Sequence, residues 1–212
     1  MTARTPSAPV SGRSALLVVV VFAVSMAAMM GLAPPIWPLA QLGMLLPAAL
    51  VVWRVPALRP LAAEVSRGTL RWPLVLLIAG SSATALVGWA RLANPDLSAA
   101  QAMVPDAPAW LLILGALGFA GINAALEEVA FRGLLQPALG VAFGPRAAVL
   151  LQAVAFGVAH LHGVPNGPLG AAMAGTWALV LGWARNRSGG LVTPILGHII
   201  ADLVIFALLA SS

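Results

Sequence analysis

The chain has 212 residues, of which 61% are hydrophobic and 8% are charged, and its mean hydropathy is +0.99. Soluble domains carry about 25% charged residues, so this composition excludes a soluble globular protein. All eleven basic residues are arginines, and they outnumber the six acidic residues. They are scattered along the chain and form no patch, so no nucleic-acid partner is expected. Cysteine is absent, which excludes disulfides, thiolate metal ligands and cysteine nucleophiles.

The composition predicts an all-α, polytopic transmembrane helix bundle embedded in a lipid bilayer. A helix that crosses roughly 30 Å of hydrocarbon needs about 20 apolar residues. About seven spans can be placed between polar breaks, at residues 15–33, 36–53, 73–92, 109–137, 147–161, 168–184 and 191–210. Tryptophan prefers the headgroup level, and every tryptophan except Trp177 lies near a predicted span end.

The arginines predict the orientation of these spans. Nine of them precede the first span or lie in the loops after the second, fourth and sixth spans, and only Arg91 and Arg132 do not. The positive-inside rule then places the N-terminus in the cytoplasm and the C-terminus outside. Residues 1–14 are expected to be a cytoplasmic tail and 15–107 to form N-terminal transmembrane helices, with the first span an uncleaved anchor. The expected location is a bacterial plasma membrane.

Six ionisable residues fall inside predicted spans, where they are unexpected. They are Glu127, Glu128, Arg132, His160, His198 and Asp202. Each such group costs roughly 2.5 to 3.5 kcal/mol at the centre of a membrane helix. We therefore expect these side chains to meet one another.

The spacing of these residues indicates how they meet. Glu128 precedes Arg132 by four residues, the favourable order for a helical ion pair. Glu127 points about 100° away around the helix and has no partner in its own helix, so it is a candidate base. His198 and Asp202 are also four apart and can hydrogen-bond each other, while His160 ends a different predicted span.

Several chemistries are compatible with these residues. Ser81 or Ser82 could be a nucleophile paired with a histidine, although a membrane serine more often bonds its own helix. The two histidines with Glu127 and Asp202 could bind zinc, but the HExxH pattern is absent. A carboxylate dyad is disfavoured because Glu127 and Glu128 should diverge. A structural polar network, or a proton or ion path through a transporter, is the non-enzymatic alternative.

Three short motifs resemble a known family. The chain contains EEVAFRG at 127–133, FGVAH at 156–160 and HIIAD at 198–202. In order and spacing these are similar to the EExxxR, FxxxH and HxxxN/D motifs of the CAAX-processing and bacteriocin-processing intramembrane glutamate endopeptidases, also called the abortive-infection family. The resemblance covers roughly the last hundred residues and implies that 108–212 is an intramembrane peptidase core formed by the last four spans.

The resemblance implies an endopeptidase that needs no cofactor and cleaves a membrane-associated peptide or membrane protein. Glu127, with His160, would activate a water, His198 and Asp202 would stabilise the oxyanion, and Glu128 and Arg132 would support the site.

Asp202 stands where the best-known eukaryotic members carry Asn. Because an ionised Asp repels an oxyanion, Asp202 is either protonated or holds His198 in a donor tautomer, which we favour. A zinc-dependent protease and a non-enzymatic immunity or peptide-binding protein remain alternatives.

Overall fold

The computed structural model of the chain describes residues 9–31 and 39–211. Within these residues the chain is helical and contains no strand, which confirms the all-α prediction. The α-helices are α1 (Gly12–Gly31), α2 (Leu39–Arg54), α3 (Trp72–Leu92), α4 (Ser98–Gln101), α5 (Ala109–Glu127), α6 (Gln136–Phe143), α7 (Pro145–Ala159), α8 (Gly167–Ser188) and α9 (Val192–Ala210). Two 3₁₀ segments, Pro56–Glu64 and His160–His162, and one π-helical segment, Glu128–Leu135, complete the set.

Some of the sequence-based predictions fall on residues outside the described part of the chain. These residues are 1–8, 32–38 and 212. They include most of the predicted cytoplasmic tail, the end of the first predicted span and the start of the second.

Proline and glycine set several helix boundaries. Pro73, Pro145 and Pro168 each lie in the first two positions of a helix, where the missing proline N–H has no helical partner to lose. Gly189 ends α8 with a left-handed φ of 68°, a conformation that glycine adopts without steric cost.

The predicted count of seven spans is not confirmed. Within the described part of the chain, four helices are long and apolar enough to cross a bilayer, namely Gly12–Gly31, Trp72–Leu92, Ala109–Phe143 and Val192–Ala210. Helix α2 has 16 residues and α7 has 15, so each is shorter than the roughly 20 residues that a span needs. Helix α8 is long enough, but glycines and polar residues make it less apolar. The chain is nevertheless a multi-pass membrane protein by the length and composition of these four helices.

The third of these apolar helices runs without a break from Ala109 to Phe143, over 35 residues. Its middle is the π-helical segment, in which seven residues are buried, including Glu128 and Arg132. Single π turns inside α-helices occur frequently at functional sites. The segment contains Glu128 and Arg132 of the first motif, and both side chains lie in the interior of the bundle.

The helices that carry the other motifs pack closely. Helix α7 packs along α8, and α9 packs along α3 and α5. A Cβ atom at Gly157 would lie 2.6 Å from the carbonyl oxygen of Ala171, so α7 and α8 approach at a distance that only glycine permits. A row of edge-to-face rings, Phe22, Phe131 and Phe156, runs from α1 through the π-helical segment to α7. This packing places the ends of the three motifs around one interior point.

Candidate active site

A cluster of buried polar side chains lies at that interior point. Glu127, Glu128, Arg132, His198 and Asp202 are all buried, and the exposed fraction of Glu128 and Arg132 is 0%. The first three come from the end of α5 and the π-helical segment, and the last two from α9. Five of the six predicted site residues therefore share one cluster.

The predicted ion pair of the first motif is present. Arg132 Nη1 donates to Glu128 Oε1 over 2.9 Å. The guanidinium carbon also lies 4.4 Å from the centre of the Phe156 ring, a distance at which a cation is attracted by the ring face. The pair thus connects the π-helical segment to α7, as well as compensating two buried charges.

His198 lies between two adjacent carboxylates. Its Nδ1 donates to Glu128 Oε1 over 2.8 Å, and its Nε2 lies 3.7 Å from Glu127 Oε2. Glu127 and Glu128 were expected to diverge and therefore not to form a carboxylate dyad that shares a proton. They do point in different directions, but the imidazole fills the angle between them, so each carboxylate faces one ring nitrogen.

Asp202 does not hold His198 by a hydrogen bond. The distance from His198 Nε2 to Asp202 Oδ1 is 3.6 Å, which is longer than a hydrogen bond. Asp202 Oδ2 instead accepts from Asn123 Nδ2 over 3.1 Å. Glu128, not Asp202, fixes the orientation of the His198 ring. The contact that we expected from Asp202 is therefore made by Glu128.

Gln41 of α2 belongs to the cluster and was not predicted. Its Nε2 lies 3.0 Å from Asn123 Oδ1 and 3.3 Å from Glu127 Oε1. The only signal in the sequence is an amide within an otherwise apolar predicted span, and amides in membrane helices usually bridge helices. Sequence spacing cannot connect residues 41 and 127, because their contact depends on how α2 packs against α5.

His160 lies apart from the carboxylates, where α7 passes into a 3₁₀ segment. Its Nδ1 is 2.9 Å from the carbonyl oxygen of Phe156, and since a carbonyl only accepts, Nδ1 is the donor. In a neutral ring Nε2 is then an acceptor. The ring stacks on Phe156 at a centroid distance of 4.3 Å, which fixes its plane.

A cavity of about 400 Å³ joins His160 to the cluster. His160, His198 and Asp202 contribute to its wall, which is otherwise mainly apolar and is formed by α3, α7, α8 and α9. Glu127 is not among the residues that line it, but its Oε2 lies 3.7 Å from Nε2 of His198, which does. Trp177 lines the cavity with its ring edge-to-face to His198, 4.8 Å between centroids. Trp177 is the one tryptophan distant from a predicted span end, a signal that could have identified it.

The structure also bears on the serine and zinc alternatives. Ser81 and Ser82 line the cavity, but their hydroxyls donate to the carbonyls of Ile78 and Ala79 in their own helix. Among residues 9–31 and 39–211, no three His, Cys, Asp or Glu side chains are arranged to hold a metal ion.

Comparison with known proteins adds one finding. Residues 108–204 match a family model described as Type II CAAX prenyl endopeptidase Rce1-like. Within these residues the chain is similar to the Rce1-like family. The match confirms the resemblance of the three motifs and supports a membrane protease. No curated protein and no solved structure matches the chain. All six predicted site residues lie in the Rce1-like region, whereas Gln41, Ser81 and Ser82 lie outside it.

Proposed function

We propose that this Rce1-like protein is an intramembrane endopeptidase in which Glu127 activates the attacking water. One observation carries the proposal: Glu127 Oε2 is buried and has no hydrogen-bond partner among the described residues. It lies 3.7 Å from His198 Nε2, on a ring that lines the cavity. Two atoms at that separation can both hydrogen-bond one water at ordinary distances of about 2.8 Å.

In the proposed reaction, Glu127 takes a proton from this water while the water oxygen attacks the carbonyl carbon of the scissile peptide. The C–N bond then breaks, and the proton passes to the leaving amine. A positioned carboxylate that acts as base and then as acid contributes about 10² to 10⁴ in rate. His160 is the second group toward the water, because its Nδ1 is occupied by the Phe156 carbonyl and Nε2 is left to accept.

In this mechanism His198 stabilises the oxyanion. Since Nδ1 donates to Glu128, Nε2 can donate to an oxyanion only when the ring carries both protons. Carboxylates of Glu127, Glu128 and Asp202 lie within 3.7 Å of the ring nitrogens and supply the counter-charge. Asp202 therefore acts as an anion beside His198 and does not itself contact the oxyanion. Glu128 and Arg132 keep the ring in place.

The substrate is proposed to be a peptide segment held in the bilayer. The cavity wall is mainly apolar, with residues such as Ala172, Ile205 and Trp177, so it suits an apolar chain next to the scissile bond. The family description names CAAX prenyl endopeptidases. A fluorescence-quenched, S-farnesylated peptide ending in a CAAX sequence is therefore the first probe, with the unprenylated peptide beside it.

The decisive variant is Glu127→Gln, assayed in detergent and in proteoliposomes with this probe. The amide keeps the size of the side chain and can still accept from Gln41, so folding should be unchanged while cleavage falls by about 10² to 10⁴. Glu64→Gln, which alters an exposed carboxylate, is the matched control and should cleave normally. A Glu127→Gln protein that cleaves at the wild-type rate would exclude Glu127 as the base.

Treatment with a chelator separates this mechanism from the zinc alternative. Chelated and dialysed protein should keep its cleavage rate without added metal. If elemental analysis found one zinc per chain, and its removal and return switched cleavage off and on, the glutamate mechanism would be wrong. Wild-type protein that binds both peptides and cleaves neither would instead be a peptide-binding protein.

A further inference from the structure

We propose that Gln41 is a positioning residue that aims the Glu127 carboxylate, a role that rests on Glu127 being the base. Gln41 lies in α2, outside the Rce1-like region of residues 108–204. A helix beyond that region would therefore complete the active site.

The contacts form a continuous amide relay between the two carboxylates. Gln41 Nε2 donates to Glu127 Oε1 over 3.3 Å and to Asn123 Oδ1 over 3.0 Å. Asn123 Nδ2 in turn donates to Asp202 Oδ2 over 3.1 Å. Helices α2, α5 and α9 each contribute to this relay, so it connects the first motif to the third.

The carboxylates at the two ends fix the orientation of both amides. An ionised carboxylate only accepts hydrogen bonds, so Asn123 must present its nitrogen to Asp202 and its oxygen to Gln41. Gln41 must then present its nitrogen to both Asn123 and Glu127. The reverse orientation would set the Gln41 oxygen against two other oxygens. Gln41 Oε1 has no hydrogen-bond partner within the described residues, so this orientation is kept although one buried acceptor stays unpaired.

The relay leaves the two oxygens of Glu127 in different states. Oε1 is bound to Gln41, while Oε2 is unbonded and faces His198 Nε2. The last torsion of a glutamate side chain is otherwise soft. A bond at Oε1 therefore holds Oε2 toward the water, and productive geometry tolerates errors of only about 0.5 Å.

The test compares Gln41→Met with a matched change, Gln152→Met. Met has a similar length and no donor. Gln152 is also a buried amide that bridges helices, since it donates to the Ala178 carbonyl of α8, but its hydrogen bonds go to backbone carbonyls. Loss of a hydrogen bond to a charged group should lower kcat of Gln41→Met by about 10-fold to 100-fold with KM within about twofold. Gln152→Met should keep the wild-type kcat.

Infrared difference spectroscopy supplies a measurement that needs no substrate. The carboxyl band that disappears in Glu127→Gln should shift in Gln41→Met and stay in place in Gln152→Met. An unshifted band with an unchanged kcat in Gln41→Met would overturn the positioning role. If Glu127→Gln is inactive in that case, only the role of Gln41 fails. If Glu127→Gln is as active as the wild type, the proposed function fails with it.

Discussion

Two of the polar contact regions between the first and last parts of the chain depend on different interactions. The buried cluster joins α2 to α5 and α9 through Gln41 and the carboxylates. The loop contact, formed by residues 64–71 against residues 185–193, lies at one end of the bundle. It includes backbone hydrogen bonds, among them Thr69 N to Ser188 O and Leu191 N to Ser66 O. The first set depends on charged side chains, whereas the second depends on the close approach of two backbone segments.

The difference follows from the surroundings of each set. In the buried cluster Glu128 and Arg132 are fully buried, so each must be paired, and removal of one exposes the full desolvation penalty of the other. At the loop contact the Glu64 side chain is 52% exposed and that of Arg185 is 13% exposed, and a pair with one partner in water gains little. The loss of stability on substitution should therefore follow the burial of the altered group rather than the length of its hydrogen bonds.

Arg132→Ala should have the largest effect on stability. It leaves Glu128 fully buried beside His198 without its cation, and broken buried pairs lose about 3 to 5 kcal/mol. The yield of folded protein and the midpoint of thermal unfolding in detergent should both fall. Arg146→Ala changes an exposed arginine and should leave both unchanged. Equal stability of the two variants would mean that Glu128 is solvated or finds another partner when Arg132 is removed.

Gly190→Ala should have the next largest effect. A Cβ atom there would overlap backbone atoms of Gly68, Ser66 and Arg67, which cannot rotate away as a side chain can. Overpacking of this kind costs about 1 to 3 kcal/mol, and thermal unfolding in detergent measures it. Gly88→Ala, in α3 with no atom within 4 Å of the new Cβ, should be neutral or slightly stabilising. If Gly190→Ala matched it, the loops would not be in contact.

The sequence predicted what depends on local spacing. The Glu128–Arg132 pair follows from a four-residue interval, and the helices follow from apolar runs between prolines and glycines. Contacts between distant segments could not be predicted. No interval relates Gln41 to Glu127, and no spacing of residues 128–135 indicates a π-helical segment. The hydrogen bond from His198 to Glu128 also depends on the packing of α9 against α5, so the spacing of His198 and Asp202 suggested the wrong partner.

Arg185→Ala should have the smallest effect and tests whether the loop contact lies in water. Arg185 Nη2 donates to Glu64 Oε2 over 2.8 Å, a distance slightly shorter than that of the buried pair. If distance alone set the strength, the two arginine variants would lose equal stability. Because exposed pairs contribute about 0 to 1 kcal/mol, the unfolding midpoint should move little, and added salt should remove the remaining difference from the wild type. A salt-independent loss of stability as large as that of Arg132→Ala would show that the bilayer shields the Arg185–Glu64 pair from water. Burial within the protein would then not predict which charged residues contribute most to stability in this chain.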